Sequence, residues 1–206
     1  CIPSCKNTTP RASWWAVSRG KSMAENLIPI NCFPWGGSCR PEAYAIATDK
    51  ADAISFRLWC FEKHPRITCR EPNSAVYLDS CLEVFLNPFP AFSEDYLNFE
   101  MNAAGALLLQ KGPDRAHRHF VSLELPNYPK VQSCRQADMW SVELNVPHSF
   151  LQAVYGPHAP ARPENPIGNF YQCSGPPEER YGCWMAPSAP KPDFHRPESF
   201  APIPQL

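Results

Sequence analysis

Proline is the residue that most restricts how this chain can fold, because it occupies 25 of the 206 positions. Average usage in a chain of this length would give roughly 10 prolines. Proline has no backbone N–H and is poorly tolerated inside helices and central strands, so it collects in loops, turns and sheet edges. Much of the excess lies at 157–166 and 187–204. The sequence therefore favours short strands joined by long irregular loops over a helical bundle.

Apolar and polar residues alternate through the middle of the chain, which is the pattern of half-buried strands. In a strand at 53–61, Ile54, Phe56, Leu58 and Cys60 share one face. The other face mixes an arginine with two aromatics, so it forms either a second packing layer or an exposed platform. Further strands are predicted at 43–48, 82–86, 96–101, 105–110, 140–146, 168–173 and 194–203, with a short helix from 147 to 155.

These elements predict an all-β fold, a two-sheet antiparallel sandwich with long Pro-rich loops and one short helix. A chain of 206 residues is within the range of one domain, so 1–206 is expected to be a single domain. The terminal stretches 1–30 and 186–206 are interpreted as segments that wrap around it.

Charge and hydropathy exclude several classes of partner. The 19 basic and 20 acidic residues give a net charge of -1 without long charged runs, which disfavours nucleic-acid binding. The longest apolar run, 103–109, is far shorter than the roughly 20 residues of a membrane span. No secretory signal pattern opens the sequence, so a cytoplasmic setting with reduced thiols is expected rather than secretion. The oligomeric state is left open.

Catalytic and metal-binding patterns are weak in this sequence. His117 and His119 would share one face of a strand, but Arg115 and Arg118 beside them indicate a solvated basic rim. Neither a G-x-S-x-G elbow nor a catalytic cysteine signature is present. Carboxylates in predicted strands leave an acid–base enzyme open as an alternative, and these are Glu83, Glu100 and Glu143.

Sugar binding needs an aromatic face against a pyranose ring and planar polar groups that pair with neighbouring hydroxyls. Side chains of both kinds lie near the ends or faces of the predicted strands. The predicted carbohydrate-binding set is Tyr77, Glu83, Asn98, Glu100, Arg115, Asn169 and Tyr171.

Five motifs occur in order along the chain: VYLDSCLEVF at 76–85, YLNFEMNAAG at 96–105, WSVELNVP at 140–147, GNFYQC at 168–173 and DFHRPESF at 193–200. Together they resemble carbohydrate-binding module family 9, and most closely the stand-alone bacterial members of that family. The resemblance covers most of the chain. It implies a DOMON-like, jelly-roll-like β-sandwich that binds sugar and has no catalytic activity.

The resemblance also implies residue roles. Tyr77 matches the aromatic before the D-x-x-x-E stretch, Glu83 matches its acid, and Asn169 matches the asparagine of the late aromatic motif. No cofactor is expected apart from a structural calcium ion, for which Asp79 and Asp95 are the candidate ligands. The sugar-stacking tryptophans of the family are not clearly matched, so the fold transfers better than the ligand.

Three other functions stay open beside the sugar-binding one. A carbohydrate-active enzyme would use Glu83 with Glu100, or Glu143. A protein interaction module would have a decayed sugar site and a flat or filled surface in place of a cleft. A haem binder would use Met101 or His119 as an axial ligand.

Overall fold

The computed structural model of the protein describes residues 27–37 and 39–206. This part of the chain forms short strands, one α-helix and two single-turn 3-10 helices at Val76–Leu78 and Pro197–Ser199. The strands and the helix are β1 (Ile28–Pro29), β2 (Ala43–Asp49), β3 (Ala53–Cys60), β4 (Cys81–Asn87), β5 (Tyr96–Asn102), β6 (Leu107–Gly112), β7 (His119–Phe120), β8 (Lys130–Arg135), β9 (Trp140–Pro147), α1 (His148–Tyr155), β10 (Ile167–Ser174), β11 (Arg180–Cys183) and β12 (Ala201–Pro202).

The strands form two antiparallel sheets. The five-stranded sheet has the order β1-β2-β3-β9-β8. The seven-stranded sheet has the order β11-β10-β4-β5-β6-β7, and β12 pairs with the end of β10. The two-sheet antiparallel sandwich predicted from the sequence is confirmed. Among the described residues, no helix has the length and apolar character needed to cross a bilayer.

The main core lies between the sheets because alternate residues of each strand point inward. The five-stranded sheet contributes the predicted face of β3, and the seven-stranded sheet contributes the apolar positions of β4 and β5. Each fully buried side chain of this size is worth about 1.5–3 kcal/mol. Central members of this core are Ile54, Phe56, Leu58, Leu82, Val84, Leu86, Leu97, Phe99, Val142 and Leu144.

The outer face of the five-stranded sheet carries a small packing layer. Trp59 packs against Tyr44 with ring centroids 5.9 Å apart, and both cluster with Met139. The aromatic face of β3 is therefore a second packing layer and not an exposed platform. Beyond this cluster the outer face opens to solvent, since Glu143 and Asn145 of β9 are exposed.

Most predicted strands match the observed ones to within two residues, but the prediction at 194–203 is largely wrong. Pro197–Ser199 is a 3-10 turn and only Ala201–Pro202 pairs with a neighbour, because prolines remove the donors that a continuous ladder needs. The sequence pattern missed β8 and β11, as well as the two-residue strands β1 and β7. β8 is an edge strand whose six residues are exposed or half-buried, so it lacks apolar alternation.

The segment 186–206 runs over the outer face of the seven-stranded sheet. Trp35 Nε1 donates to Ala189 O at 2.8 Å, and Tyr171 Oη donates to Phe194 O at 3.0 Å. Most of the other predicted wrapping segment, 1–30, lies outside the described residues. Cys32 is disulfide-bonded, contrary to the expectation of reduced thiols. Free thiols are found at Cys39, Cys60, Cys69, Cys81, Cys134, Cys173 and Cys183.

Candidate functional site

A cavity of about 380 Å³ lies on the outer face of the seven-stranded sheet. Its floor is formed by β4, β5, β6, β10 and β11. Its walls come from four segments: the 3-10 turn Val76–Leu78, the loop after β6, the loop after β10 and the C-terminal segment. The residues used below that line it are Tyr77, Glu83, Glu100, Arg115, Arg118, Cys173, Tyr181, Phe194 and His195.

Strand register brings the two acidic residues of the floor together. Glu83 of β4 lies directly opposite Glu100 of β5, and Tyr171 of β10 lies opposite Glu83 on the other side. Residues directly opposite in an antiparallel pair point to the same face, with Cβ atoms about 4.5–5.5 Å apart. Since Leu82 and Val84 point into the core, Glu83 and Glu100 must point into the cavity.

Both carboxyl groups are almost completely buried, and their protonation follows from that. Burial, reinforced by the neighbouring Cys173 and Glu100, holds the pKa of Glu83 well above its usual value. Burial also raises the pKa of Glu100 to about 7, although Arg118 opposes the shift from 3.9 Å. Glu83 therefore holds its proton to a higher pH than a solvated carboxyl group does, and a neutral carboxyl group both donates and accepts hydrogen bonds.

Only one of the two carboxyl oxygens of Glu100 has a hydrogen-bond partner. Asn98 Nδ2 donates to Glu100 Oε1 at 3.0 Å, whereas Glu100 Oε2 is buried and has no hydrogen-bond partner. A buried acceptor without a donor costs about 1–3 kcal/mol. A ligand hydroxyl reaching this oxygen would offset that cost.

His195 forms one wall together with the aromatic cluster beneath it. Its Nδ1 lies 2.8 Å from Tyr96 Oη, and its ring packs on Phe85 at 4.8 Å. Burial, followed by the positive charges of Arg118 and Arg115, lowers the pKa of His195 to about 2. The imidazole is therefore neutral over the physiological pH range.

The rim combines aromatic and charged side chains. Tyr77 is half exposed at one edge. The ring centroids of Tyr181 and Phe194 are 6.1 Å apart. The Phe194 ring stacks on the Tyr171 ring with centroids 4.1 Å apart. Arg115 donates twice to Asp193 Oδ1, at 2.7 and 2.9 Å, which ties the loop after β6 to the C-terminal segment.

Four of the seven residues predicted to bind sugar line the cavity, namely Tyr77, Glu83, Glu100 and Arg115. Asn98 supports Glu100 from the side and does not line the cavity.

The remaining two predicted residues are also buried outside the cavity lining. Asn169 Nδ2 donates to Met185 O at 2.9 Å, and Tyr171 packs beneath Phe194. These two side chains hold the C-terminal segment in place.

Sequence reasoning did not select most of the residues that line the cavity, and those with side chains suited to binding are Arg118, Tyr181, Phe194 and His195. Two of them lie in the DFHRPESF motif, which served only as a landmark. A strong sequence signal for Tyr181 is absent because β11 is short and follows a proline-containing turn.

Of the residues named for the alternative functions, Glu83 and Glu100 lie together on the cavity floor, whereas Glu143, Met101 and His119 lie elsewhere. Glu143 lies on the outer face of the other sheet, far from the pair formed by Glu83 and Glu100. Met101 is buried in the core between the sheets, whereas His119 is exposed on the edge strand β7. His117 pairs with Asp114 at 2.8 Å on the surface.

The two predicted calcium ligands lie at opposite ends of the β4–β5 pair. Asp79 accepts hydrogen bonds from Thr68, Cys69 and Asn102. Burial acts to raise the pKa of Asp79, but these hydrogen bonds outweigh it and lower the pKa below its usual value. Asp95 pairs with Lys111 at 3.1 Å. Both carboxylates already bind protein donors, and the structure does not bring the two together.

Comparison with known structures supports the same fold. A structure from Bacteroides uniformis ATCC 8492, described as a candidate carbohydrate-binding protein, has a TM-score of 0.72 at 24% identity, covering 84% of this chain and 83% of that one.

Two structures of a family 9 carbohydrate-binding module from Caldicellulosiruptor kristjanssonii, both at 12% identity and a TM-score of 0.53, are also similar. The complex with glucose covers 89% of this chain and 86% of that one. The complex with cellotriose covers 80% and 75%.

Comparison with the curated proteins gives no match. The family model of carbohydrate-binding family 9 matches residues 23–204, nearly the whole chain. Its span includes both sheets and every residue that lines the cavity. The chain therefore belongs to carbohydrate-binding family 9.

Proposed function

We propose that this chain is a non-catalytic module that binds one sugar unit, either free or at the end of an oligosaccharide, in the cavity of the seven-stranded sheet. The observation that carries the proposal is the pair of buried carboxyl groups, Glu83 and Glu100, on the floor beneath an aromatic rim. The similar family 9 structures with glucose and cellotriose support it.

The side chains of the cavity suit a neutral sugar. The Tyr77, Tyr181 and Phe194 rings that line the cavity offer apolar faces for a pyranose. The protonated Glu83 can donate to one hydroxyl and accept from another, and the unpaired Glu100 Oε2 can accept from a third. Specificity for hydroxyl groups would follow from these buried polar atoms.

The size of the cavity favours a terminal unit over the middle of a polymer. Its volume of about 380 Å³ is near the lower end of the range for ligand sites, roughly 300–1,000 Å³. The C-terminal segment closes one side of it, where Phe194 and His195 stand. A polysaccharide chain passing through would need an open groove.

An acid–base enzyme fits this geometry less well, although the raised pKa of Glu100 is a feature of catalytic acids. In glycoside hydrolases the two carboxyl groups flank the scissile bond. Here Glu83 and Glu100 are cross-strand neighbours on one floor, so both reach a ligand from the same side. This arrangement is suited to holding hydroxyl groups.

The test is calorimetric titration of the purified protein with glucose, xylose, cellotriose and other mono- and oligosaccharides, with and without EDTA. We expect saturable binding of a small sugar class. Glu83→Ala and Glu100→Ala should each weaken the affinity roughly tenfold or more, which corresponds to about 1.4 kcal/mol. The matched control is Glu143→Ala, an exposed strand glutamate on the other sheet, which should bind as the wild type does.

The proposal fails if the folded protein binds no sugar, or if binding survives both cavity variants unchanged. Circular dichroism and the melting temperature of each variant establish that it is folded. Hydrolysis of a chromogenic glycoside that is lost in Glu100→Ala but retained in Glu143→Ala would replace the binding function by the enzyme alternative.

A further inference from the structure

Two thiols and a carboxyl group meet beneath the cavity. Cys81 of β4 and Cys173 of β10 are direct cross-strand partners, and Glu83 follows two residues along β4 on the same face. One oxygen of Glu83 and the two Sγ atoms all lie within 4.8 Å of one another. Among the described residues, this is the one group of three thiol, imidazole or carboxylate side chains close enough to hold a metal ion.

The cluster is buried but can be reached from the cavity. Cys81 is completely buried, while Glu83 and Cys173 line the cavity floor. Cys173 Sγ donates to Glu83 Oε1 at 3.0 Å. Cys81 Sγ makes a long contact of 3.9 Å to Leu82 O and also interacts with the Cys173 thiol and with the backbone of Met101. Cys173 Sγ lies 3.5 Å from Tyr77 O as well. The strands place the three groups side by side, and the contacts between them are those of thiols, which are weak hydrogen-bond donors and acceptors.

A second observation points to a ligand at this place. Glu100 lies directly opposite Glu83 in the strand register, and its side chain is 5% exposed. Its Oε2 atom has no hydrogen-bond partner. A cation bound on the floor would offset the cost of that buried acceptor.

We propose that Cys81, Cys173 and Glu83 form a Zn²⁺ site at the floor of the cavity. Thiolate sulfur selects soft cations, which disfavours calcium and magnesium, and the carboxylate favours Zn²⁺ over Cu(I). Tetrahedral Zn²⁺ has Zn–S bonds near 2.3 Å and Zn–O bonds near 2.0–2.2 Å, so its ligand atoms lie roughly 3.5–3.8 Å apart. Shifts of about 1 Å or less would bring the cluster to that spacing.

Charge and access are consistent with such a site. On binding, both thiols and any protonated Glu83 carboxyl group release their protons to solvent, so Glu83 can donate to a sugar hydroxyl only in the metal-free protein. Two thiolates, one carboxylate and Zn²⁺ leave a net charge of about -1, and the Arg118 guanidinium lies beside the floor. Three protein ligands leave a fourth position for water or another oxygen ligand on the cavity side.

The first experiment uses the metal alone and no sugar, so its outcome is independent of the proposed function. Metal-free protein kept reduced with a phosphine is titrated with Zn²⁺ against a chromophoric chelator, and with Co²⁺ in the spectrophotometer. We expect one equivalent to bind and Co²⁺ to give the charge-transfer band of a two-thiolate site. Failure to bind Zn²⁺, or a Co²⁺ spectrum without thiolate bands, would overturn the proposal.

Variants then locate the site. Loss of an outer-shell partner alone lowers metal affinity roughly 10–100-fold, so Cys81→Ser and Cys173→Ser should each cost at least that much. The controls are Cys134→Ser, an exposed thiol, and Cys183→Ser, a buried thiol elsewhere in the same sheet, and both should retain the wild-type affinity. Wild-type affinity in the Cys81→Ser and Cys173→Ser variants would place the ion elsewhere and refute the site.

Alkylation of the native wild type gives a readout that needs no variant to fold. Mass spectrometry follows the modification of each cysteine by iodoacetamide with and without Zn²⁺. We expect Zn²⁺ to slow the modification of Cys173 several-fold and to leave the exposed Cys134 unchanged. Equal rates at Cys173 with and without Zn²⁺ would contradict metal ligation by that thiol.

Discussion

The outer faces of the two sheets differ although their inner faces share one core. On the five-stranded sheet, β9 alternates between buried and exposed positions, and Glu143 is solvated. On the seven-stranded sheet, all seven positions of β4 and of β5 are buried, including Glu83 and Glu100. Both outer faces carry strand glutamates, so amino-acid type alone does not explain the difference.

The two outer faces differ in whether other segments of the chain cover them. The segment 186–206 and the loop after β6 enclose the outer face of β4 and β5, and the Arg115–Asp193 ion pair joins the two covers. Enclosure removes water from the carboxyl groups and raises the pKa of Glu100 to about 7. A strand glutamate thus becomes part of a site only where another segment of the chain covers it.

The largest expected change in stability comes from removing an aromatic ring that packs beneath the cover. Phe85 of β4 packs against Tyr96, Tyr171 and His195 with ring centroids 4.8–5.5 Å apart. Phe85→Ala should lower the free energy of unfolding by about 3–5 kcal/mol, because it leaves a cavity in a buried cluster. Chemical denaturation monitored by fluorescence measures this change.

The matched position on the open face is Ile46 of β2, which is half-buried against the small packing layer. Ile46→Ala should cost about 1 kcal/mol, the typical value for a substitution that leaves no enclosed void. Equal losses in the two variants would show that the outer face of the seven-stranded sheet is no better packed than that of its partner.

A pH titration sharpens the comparison because His195 belongs to the cover. Its ring contacts Tyr96, and its backbone N–H donates to Asp193. Burial, followed by the positive charges of Arg118 and Arg115, lowers its pKa to about 2. In the unfolded chain the pKa of histidine is about 6.5. As the pH falls below 6.5, the unfolded state takes up a proton that the folded state refuses, so stability is lost.

The expected loss is about 1.4 kcal/mol per pH unit below 6.5, relative to a variant without the imidazole. His195→Gln supplies that reference, and urea denaturation of both proteins between pH 7.5 and 4.5 gives the difference. The free energy of unfolding of the wild type, measured relative to that of His195→Gln, should fall by roughly 2–3 kcal/mol between pH 6.5 and 4.5. Parallel curves would mean that His195 is accessible to protons in the folded protein, and hence that the cover is open.

Sequence patterns predicted the inner core well because alternation reports which side chains point inward. The strand at β3 follows directly from Ile54, Phe56 and Leu58 facing one way. Five ordered motifs also led to the correct family. The edge strand β8 was missed for the same physical reason, since a strand exposed on both faces has no alternation to detect.

The site was predicted only in part because alternation cannot say which outer faces are covered. As strand carboxylates for the enzyme alternative, Glu83, Glu100 and Glu143 were not distinguished by their patterns, and the strand register and the C-terminal cover separate them. Asn169 and Tyr171 had suitable chemistry, yet that chemistry anchors the cover. Phe194 and His195 lie far along the chain from the strands they cover, so local patterns carry no information about their contacts.

Substitutions at exposed aromatic residues should have the smallest effect on stability, so at the rim they separate a role in binding from a role in packing. Tyr77 is 49% exposed beside the cavity, and Phe92 is 46% exposed on a loop elsewhere. Tyr77→Ala and Phe92→Ala should each change the free energy of unfolding by less than about 1 kcal/mol, since neither side chain is enclosed. Only Tyr77→Ala should weaken sugar binding, by roughly tenfold, because one face of the pyranose loses its aromatic partner.

Tyr77→Phe should retain the affinity if the ring acts by stacking. If both alanine variants bind as the wild type does, the enclosed floor of Glu83 and Glu100 holds the ligand without the rim, and the contrast between the two sheets rests on burial alone.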